Sequence, residues 1–154
     1  MTVNNRRRVL LQGTLGAGVL ASAGLLVPRT VLAAWPKEAF AAKTVDAGMQ
    51  SLYGGKAAAS DAVSIKAPDI AENGAVVPVA VTSTLDGTES ISVFVSNNPS
   101  PLAASFALGA GAAGYAATRV KMGKTSDVVA VVRAGGALYS ATKEVKVTIG
   151  GCGG

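Results

Sequence analysis

Beyond residue 60 the apolar residues of this chain recur at every second position, and that period constrains the fold more than any other feature of the sequence. Val63/Ile65, Val77/Val79/Val81, Ile91/Val93/Val95, Leu102/Ala104/Phe106/Leu108, Thr118/Val120/Met122, Val129/Val131 and Val145/Val147/Ile149 each alternate with small or polar residues. A period of two puts successive side chains on opposite faces of a strand, so these are about seven short strands, with room for an eighth at Ala137 to Thr142. The breaks between them carry turn chemistry: Glu72-Asn73-Gly74, Asp86-Gly87, Asn97-Asn98-Pro99, the glycines from 109 to 114, Gly123-Lys124 and Gly135-Gly136. No helical-period segment separates the strands, so nothing is available to cross over between parallel neighbours. The expectation is an all-β fold, an antiparallel sandwich of immunoglobulin-like type. Pro78 is then expected at an edge or a bulge, where its missing N–H costs no ladder bond.

One helix is expected before the strands. Trp35-Pro36 opens it, with Pro36 at the first helical position and Glu38 in the first turn. Phe40, Val45, Met49 and Leu52 recur at roughly helical spacing, and Gly54-Gly55 ends the run. Such a stripe could bind a partner, but the reading preferred for an amphipathic helix is packing on the domain's own core.

The first 33 residues differ in kind from the rest. Arg6, Arg7, Arg8 and Arg29 all precede residue 34 and no acid does, whereas the remainder carries ten bases and nine acids. The formal charge of +5 therefore overstates the basicity of the folding body. Arg6 to Arg8, an apolar stretch from Val9 to Val27 and a short polar end at Val31-Leu32-Ala33 have the layout of an export signal. Cleavage is expected after Ala33, with Ala39-Phe40-Ala41 as the second choice. The apolar stretch is long enough to consider a membrane anchor, but four glycines, Gln12, Thr14 and Ser22 dilute it, and no stable membrane association is expected. Asn5-Arg6-Arg7-Arg8-Val9-Leu10 resembles a twin-arginine export motif, with Arg6 and Arg7 as the arginine pair. The alternative is an ordinary secretory signal with a rich basic region. Twin-arginine export would carry the chain folded across the membrane to the periplasm, and no cofactor motif is present to explain folding beforehand. A partner carried along would explain it. The organisation expected is a signal over 1–33, a helix-plus-sandwich domain over 34–149 and a separate tail over 150–154.

Composition removes most chemistry from that domain. The chain has no histidine and a single cysteine, which removes the commonest general base, the commonest zinc ligand, every Ser-His or Cys-His pair and any internal disulfide. A body with a charge near +1 and no cationic cluster offers no electrostatic footprint for nucleic acid. Gly109-Ala-Gly111-Ala-Ala-Gly114 matches a dinucleotide-binding pattern in letters, yet Tyr115 to Met122 alternates like a strand where that pattern needs a helix. Gly123-Lys124-Thr125 imitates the end of a phosphate loop without the upstream glycine, and is read as a turn. Asp61, Asp69, Glu72 and Asp127 show no paired spacing and are placed on solvated loops. Catalytic residues, metal ligands and cofactor-binding residues are therefore all expected to be absent.

The tail is where chemistry remains. Gly150-Gly151-Cys152-Gly153-Gly154 sets a lone thiol among four glycines, directly after the strand Lys143 to Ile149. Two glycines carry the sulfur roughly 10 Å beyond Ile149 at ~3.3–3.6 Å per extended residue, and glycine places no side chain in the way of a narrow entrance. A lipid anchor fails on position, because a prenylation box needs three residues after the cysteine. The bland readings, a frayed end or half of an intermolecular disulfide, fit less well with a free thiol in an exported chain. An unperturbed thiol has a pKa of ~8.5, and no cation lies within five residues of Cys152, Lys146 being six away. Activation must come from whichever enzyme receives the tail, which is the behaviour of a carrier.

Terminus, export signal, Trp-Pro helix and small β domain together resemble the SoxY family, the sulfur-carrying subunits of the periplasmic thiosulfate-oxidation system. The resemblance implies that Cys152 is the covalent attachment point for thiosulfate and later intermediates, with Gly150, Gly151, Gly153 and Gly154 as a flexible arm. It implies a heterodimer with a SoxZ-like β-sandwich subunit that has no signal of its own. It also implies service to a c-type cytochrome that joins thiosulfate to the thiol, a manganese hydrolase that removes sulfate, and in many organisms a molybdenum-haem enzyme that oxidises the sulfur left behind. Two other classes remain open at this point. A ubiquitin-like carrier would hold sulfur as a thiocarboxylate on Gly153-Gly154, although export separates such a protein from the ATP its activation needs. A secreted adhesion or structural module would leave Cys152 unexplained.

Overall fold

The computed structural model describes residues 36–148. Two helices, α1 (Lys37–Ala41) and α2 (Val45–Tyr53), precede nine strands: β1 (Ala58–Ala59), β2 (Val63–Lys66), β3 (Ile70–Ala71), β4 (Val77–Ser83), β5 (Thr88–Val95), β6 (Leu102–Ala107), β7 (Tyr115–Val120), β8 (Ser126–Ala134) and β9 (Ala137–Val147). They form an immunoglobulin-like sandwich of two sheets. The larger is ordered β1-β9-β8-β5-β6, with β3 also paired to β9, and the smaller is ordered β2-β4-β7.

Each alternating run found in the sequence supplies a strand, and the eighth candidate at Ala137 to Thr142 is the first half of β9, continuous with the last run. The two-residue strands β1 and β3 carry no alternation to announce them. Both lie parallel to β9, an exception at this edge to the antiparallel pairing expected and found among the other strands. Their register is held by β9 rather than by a hairpin, and a pair of residues is too short to have a period. The β8–β9 hairpin closes through Gly135 and Gly136, at φ 56° and 77°, between the paired Ala134 and Ala137. A two-residue turn of that hand requires positive φ at both positions, which only glycine adopts freely.

The helical expectation is corrected in two respects. Pro36 caps α1 from outside, with ψ 69°, rather than occupying its first turn, and the single helix is two. Ala42 is extended, and Thr44 opens α2 by accepting a hydrogen bond from the Ala47 N–H at its Oγ1, 3.1 Å away. A threonine side chain at that point satisfies an N–H that a continuous helix would have bonded to its own backbone. Gly54, at φ 73°, ends α2. The stripe packs as expected on the domain itself: Ala39 and Met49, with Phe40, Val45 and Leu52, meet Phe94, Leu102 and Val131 of the larger sheet.

The larger sheet is consequently covered on both sides. Ile91, Val93 and Val95 of β5 and Val128, Ala130 and Val132 of β8 point into the core between the sheets, while Phe94 and Val131 point to the helices. The alternation in β6 also changes face. Phe106 lies opposite Ile91 and Ala104 opposite Val93, but the register shifts between Val93 and Phe94, so that Leu102 pairs with Phe94 and joins the helix layer. An extra residue in one strand reverses the facing of everything beyond it. The smaller sheet contributes Val63, Val77, Val79, Val81, Ala116 and Val120 to the core, and neither helix of the described residues packs on its other face. Pro78 sits in the middle strand of this sheet without a bulge, paired with Arg119 on one side. On its other side β2 ends at Lys66, opposite Ala80, so the strand is locally an edge where the proline stands.

Candidate functional site

Cys152, Gly150, Gly151, Gly153 and Gly154 lie outside the described residues, as do Arg6 and Arg7. The domain does define the point from which the tail departs.

That point is the end of β9, held from both sides. β8 pairs with it on one side, up to Ser126 opposite Val145. On the other, Ile70 and Ala71 pair with Lys146 and Val147. The Lys146 N–H donates to the Asp69 carbonyl at 2.9 Å and the Thr148 N–H to the Ala71 carbonyl at 3.1 Å. Between them the Val147 N–H donates to Thr125 Oγ1 at 3.0 Å. Three successive backbone donors at the end of the strand thus have separate partners. Lys143 fastens the neighbouring segment, donating from Nζ to the Ala67 carbonyl at 2.7 Å and pairing with Asp69 Oδ1 at 2.9 Å. The Asp69 carboxylate is 89% exposed, so the ion pair adds little beyond the carbonyl bond.

The turn before β4 closes this end of the molecule. Gly74 accepts from the Met122 N–H at 2.6 Å, and a Cβ built on it would collide with the Met122 carbonyl oxygen and come within 2.9 Å of Val147 Cγ1. Only glycine lets these three segments meet. The 121–126 loop is pinned from the other direction: Asn98 donates to the Lys121 carbonyl at 2.6 Å and Asn97 to the Thr125 carbonyl at 3.0 Å. Ile70 and Val76, on the segments flanking the strand end, are 56% and 50% exposed. The tail therefore starts from a strand end braced on both sides, beside two exposed apolar side chains.

Thr125 is the residue that sequence reasoning missed here. It lies in the Gly123-Lys124-Thr125 run dismissed as a turn, and a turn it is, but its hydroxyl braces β9. Nothing local marks it, since the partner is 22 residues away. The other glycine run, 109–114, leads directly into β7. It meets no helix N-terminus, and Gly114 packs against the Ser83 carbonyl. Asp61, Asp69, Glu72 and Asp127 are exposed, but Asp127 is not on a loop as expected: it lies in β8 opposite Glu144, with its side chain on the solvated side. Among the described residues no three side chains of the metal-ligating types come together, and no helix is long and apolar enough to cross a membrane.

The described domain is a small two-sheet sandwich that ends in a braced strand, and known proteins resemble it. The model of the family described as sulfur oxidation protein SoxY matches residues 49–152, two thirds of the chain, and its last matched residue is Cys152. The structure of the sulfur carrier protein SoxY from Chlorobium limicola f thiosulfatophilum is 44% identical, with a TM-score of 0.63, covering 69% of this chain and 97% of that one. The chain belongs to the SoxY family, whose members carry sulfur in sulfur oxidation. A superoxide reductase (neelaredoxin) from Ignicoccus hospitalis also matches, at 17% identity and a TM-score of 0.50, over 56% of this chain and 80% of that one. At that identity it shows the fold alone. No curated protein matches the chain.

Proposed function

We propose that the chain carries sulfur intermediates of thiosulfate oxidation covalently on Cys152, swings them on Gly150, Gly151, Gly153 and Gly154 into the active sites of partner enzymes, and has no catalytic residues of its own. The observation that carries this reading is the family match, which runs through the domain to Cys152. In the loading step the Cys152 thiol gives up a proton, a sulfur–sulfur bond forms to the terminal sulfur of thiosulfate, and two electrons leave to an external acceptor of the c-type cytochrome class. Water then splits the terminal sulfonate off as sulfate with release of a proton, which leaves a persulfide on Cys152. A manganese hydrolase suits the second step, and a molybdenum-haem enzyme the oxidation of the remaining sulfur. Each reaction needs the same sulfur inside a different protein, and a tether without side chains next to the cysteine suits all of them. Export by the twin-arginine route, through Arg6 and Arg7, delivers the folded chain to the periplasm together with a SoxZ-like subunit.

The test is an intact-mass spectrum of the native protein before and after reductant, beside Cys152→Ser in a reconstituted thiosulfate-oxidising system. Sulfur adducts that map to Cys152 and disappear on reduction, with turnover abolished in the variant, are expected. Substantial turnover by the serine variant sinks the reading. Valine at positions 151 and 153 tests the tether. Alkylation by iodoacetamide should keep its rate while enzymatic turnover falls at least about tenfold. A parallel loss of both would mean that the glycines tune the thiol itself.

A further inference from the structure

One bond at the end of β9 differs in kind from the others. The ladder with β8 stops at Ser126 opposite Val145, two residues short of Val147. Successive N–H groups of a strand point to opposite sides, and those of Lys146 and Thr148 both turn to the β3 side, to the Asp69 and Ala71 carbonyls. The Val147 N–H therefore faces the side on which the β8 ladder has ended, and it donates to Thr125 Oγ1 at 3.0 Å. A side-chain hydroxyl takes the place of a ladder carbonyl. The loop that presents this hydroxyl is itself clamped. Asn97 donates from its side chain to the Thr125 carbonyl at 3.0 Å and from its backbone to Ser126 Oγ at 2.9 Å, and the Asn98 carboxamide spans the Lys121 carbonyl and the Gly123 N–H. Side-chain packing adds little at the strand end, since Lys146 and Thr148 are exposed and Val147 is only half-buried.

We infer that Thr125 is a positioning residue for sulfur transfer: its hydroxyl fixes the pivot of the tail at Thr148 and so sets the volume through which Cys152 travels. The inference rests on the carrier reading and adds the residue that sets the working length of the arm. Cys152 is four residues beyond Thr148 and seven beyond Val145. Extended at ~3.3–3.6 Å per residue, those lengths are roughly 14 and 24 Å. Strand ends lie near the bottom of the range of local stabilities, so the loss of one of three bonds is enough to move the pivot back toward Val145. A longer arm dilutes the sulfur. Its effective concentration at a docked pocket falls as about the −3/2 power of tether length, here roughly twofold. Once the sulfur is inside the pocket, the chemistry is the same for either arm, so the cost falls on reaching the pocket and not on turnover within it.

The experiment uses the mature protein loaded with thiosulfate on Cys152 and follows sulfate release by the manganese hydrolase of the same organism, with hydrogen exchange at the end of β9 read in parallel. Thr125→Val keeps the approximate size of the side chain and removes the hydroxyl. The Val147 and Thr148 amides should then exchange at least about fivefold faster, and KM for the loaded carrier should rise at least roughly twofold with kcat unchanged. Thr125→Ser keeps a hydroxyl and should restore both. Three glycines inserted after Ile149 of the wild-type chain lengthen the arm without touching the brace, so they should raise KM to a similar degree while Val147 keeps its protection. Wild-type protection in Thr125→Val, faster exchange without a change in KM, failure of Thr125→Ser to restore KM, or an insertion that leaves KM unaltered would each overturn the inference while the carrier reading stands. If the wild-type chain takes up no thiosulfate on Cys152, the carrier reading falls and takes this inference with it.

Discussion

The two sheets of this sandwich use the same strand pattern for different ends. The centre of the larger is dry on both sides: Phe94, Val95 and Val131 are fully buried although they point in opposite directions, because α1 and α2 supply a second core. The smaller is dry on one side only, and its other side is built from alanine, proline and threonine between two cations. Where both faces are covered, every position answers to packing. Where one face is open, its positions are released from packing. The demands of packing are thus divided unequally between the two layers of one small domain.

Substitutions test that division, and the largest effect is expected where the two cores back onto each other. Phe94→Ala removes the largest fully buried side chain and should cost about 3–5 kcal/mol in urea denaturation. A loss below 1 kcal/mol would mean that the helical layer is only loosely attached. Gly48→Val tests the same contact from the helix. A Cβ at Gly48 would stand 2.8 Å from Phe94 Cε1, so overpacking should destabilise by about 1–3 kcal/mol, with the helical circular-dichroism signal lost before the sheet signal. Tyr53→Phe comes next. The Tyr53 hydroxyl bonds Ser92 Oγ at 2.7 Å and Ser90 Oγ at 3.2 Å, and removing it should cost about 1 kcal/mol. Ser92 keeps its 2.8 Å bond to Ser105, which limits the loss. The smallest effect belongs to the open face. Ala117→Ser should change stability by less than about 0.5 kcal/mol, as read from the same denaturation curves. A large cost there would show that the smaller sheet is not free of packing after all, and the contrast between the layers would fail.

Much of this architecture could be read from the chain. Alternation along Val77 to Val81 and Ile91 to Val95, and turn chemistry at Asp86-Gly87 and Gly135-Gly136, are properties of neighbouring residues and need no knowledge of the fold. The carrier class was legible for the same reason: a lone thiol among glycines in a chain without histidine points to carriage, and the match to a sulfur-carrier family agrees with it. What could not be read is what covers each face. Alternation tells which residues of β5 lie together, but it groups Phe94 with Ser90 and Ser92, and only the packing of α1 and α2 explains why Phe94 is as buried as Val93. The shift that sends Leu102 to the helices depends on a pairing with β5 that β6 does not announce. The break at Ala42 to Thr44 divides a stripe that local spacing would have left whole. Thr125 braces a strand end 22 residues distant, and β1 and β3 exist as strands only because β9 runs alongside them. The sequence by itself determined the alternating strands, the turns and the position of the single thiol, since each follows from local dihedral preference, side-chain period or composition. The tertiary structure alone decided which face is roofed, which is bare and how firmly the tail's point of departure is held, because those depend on contacts between segments far apart in the chain.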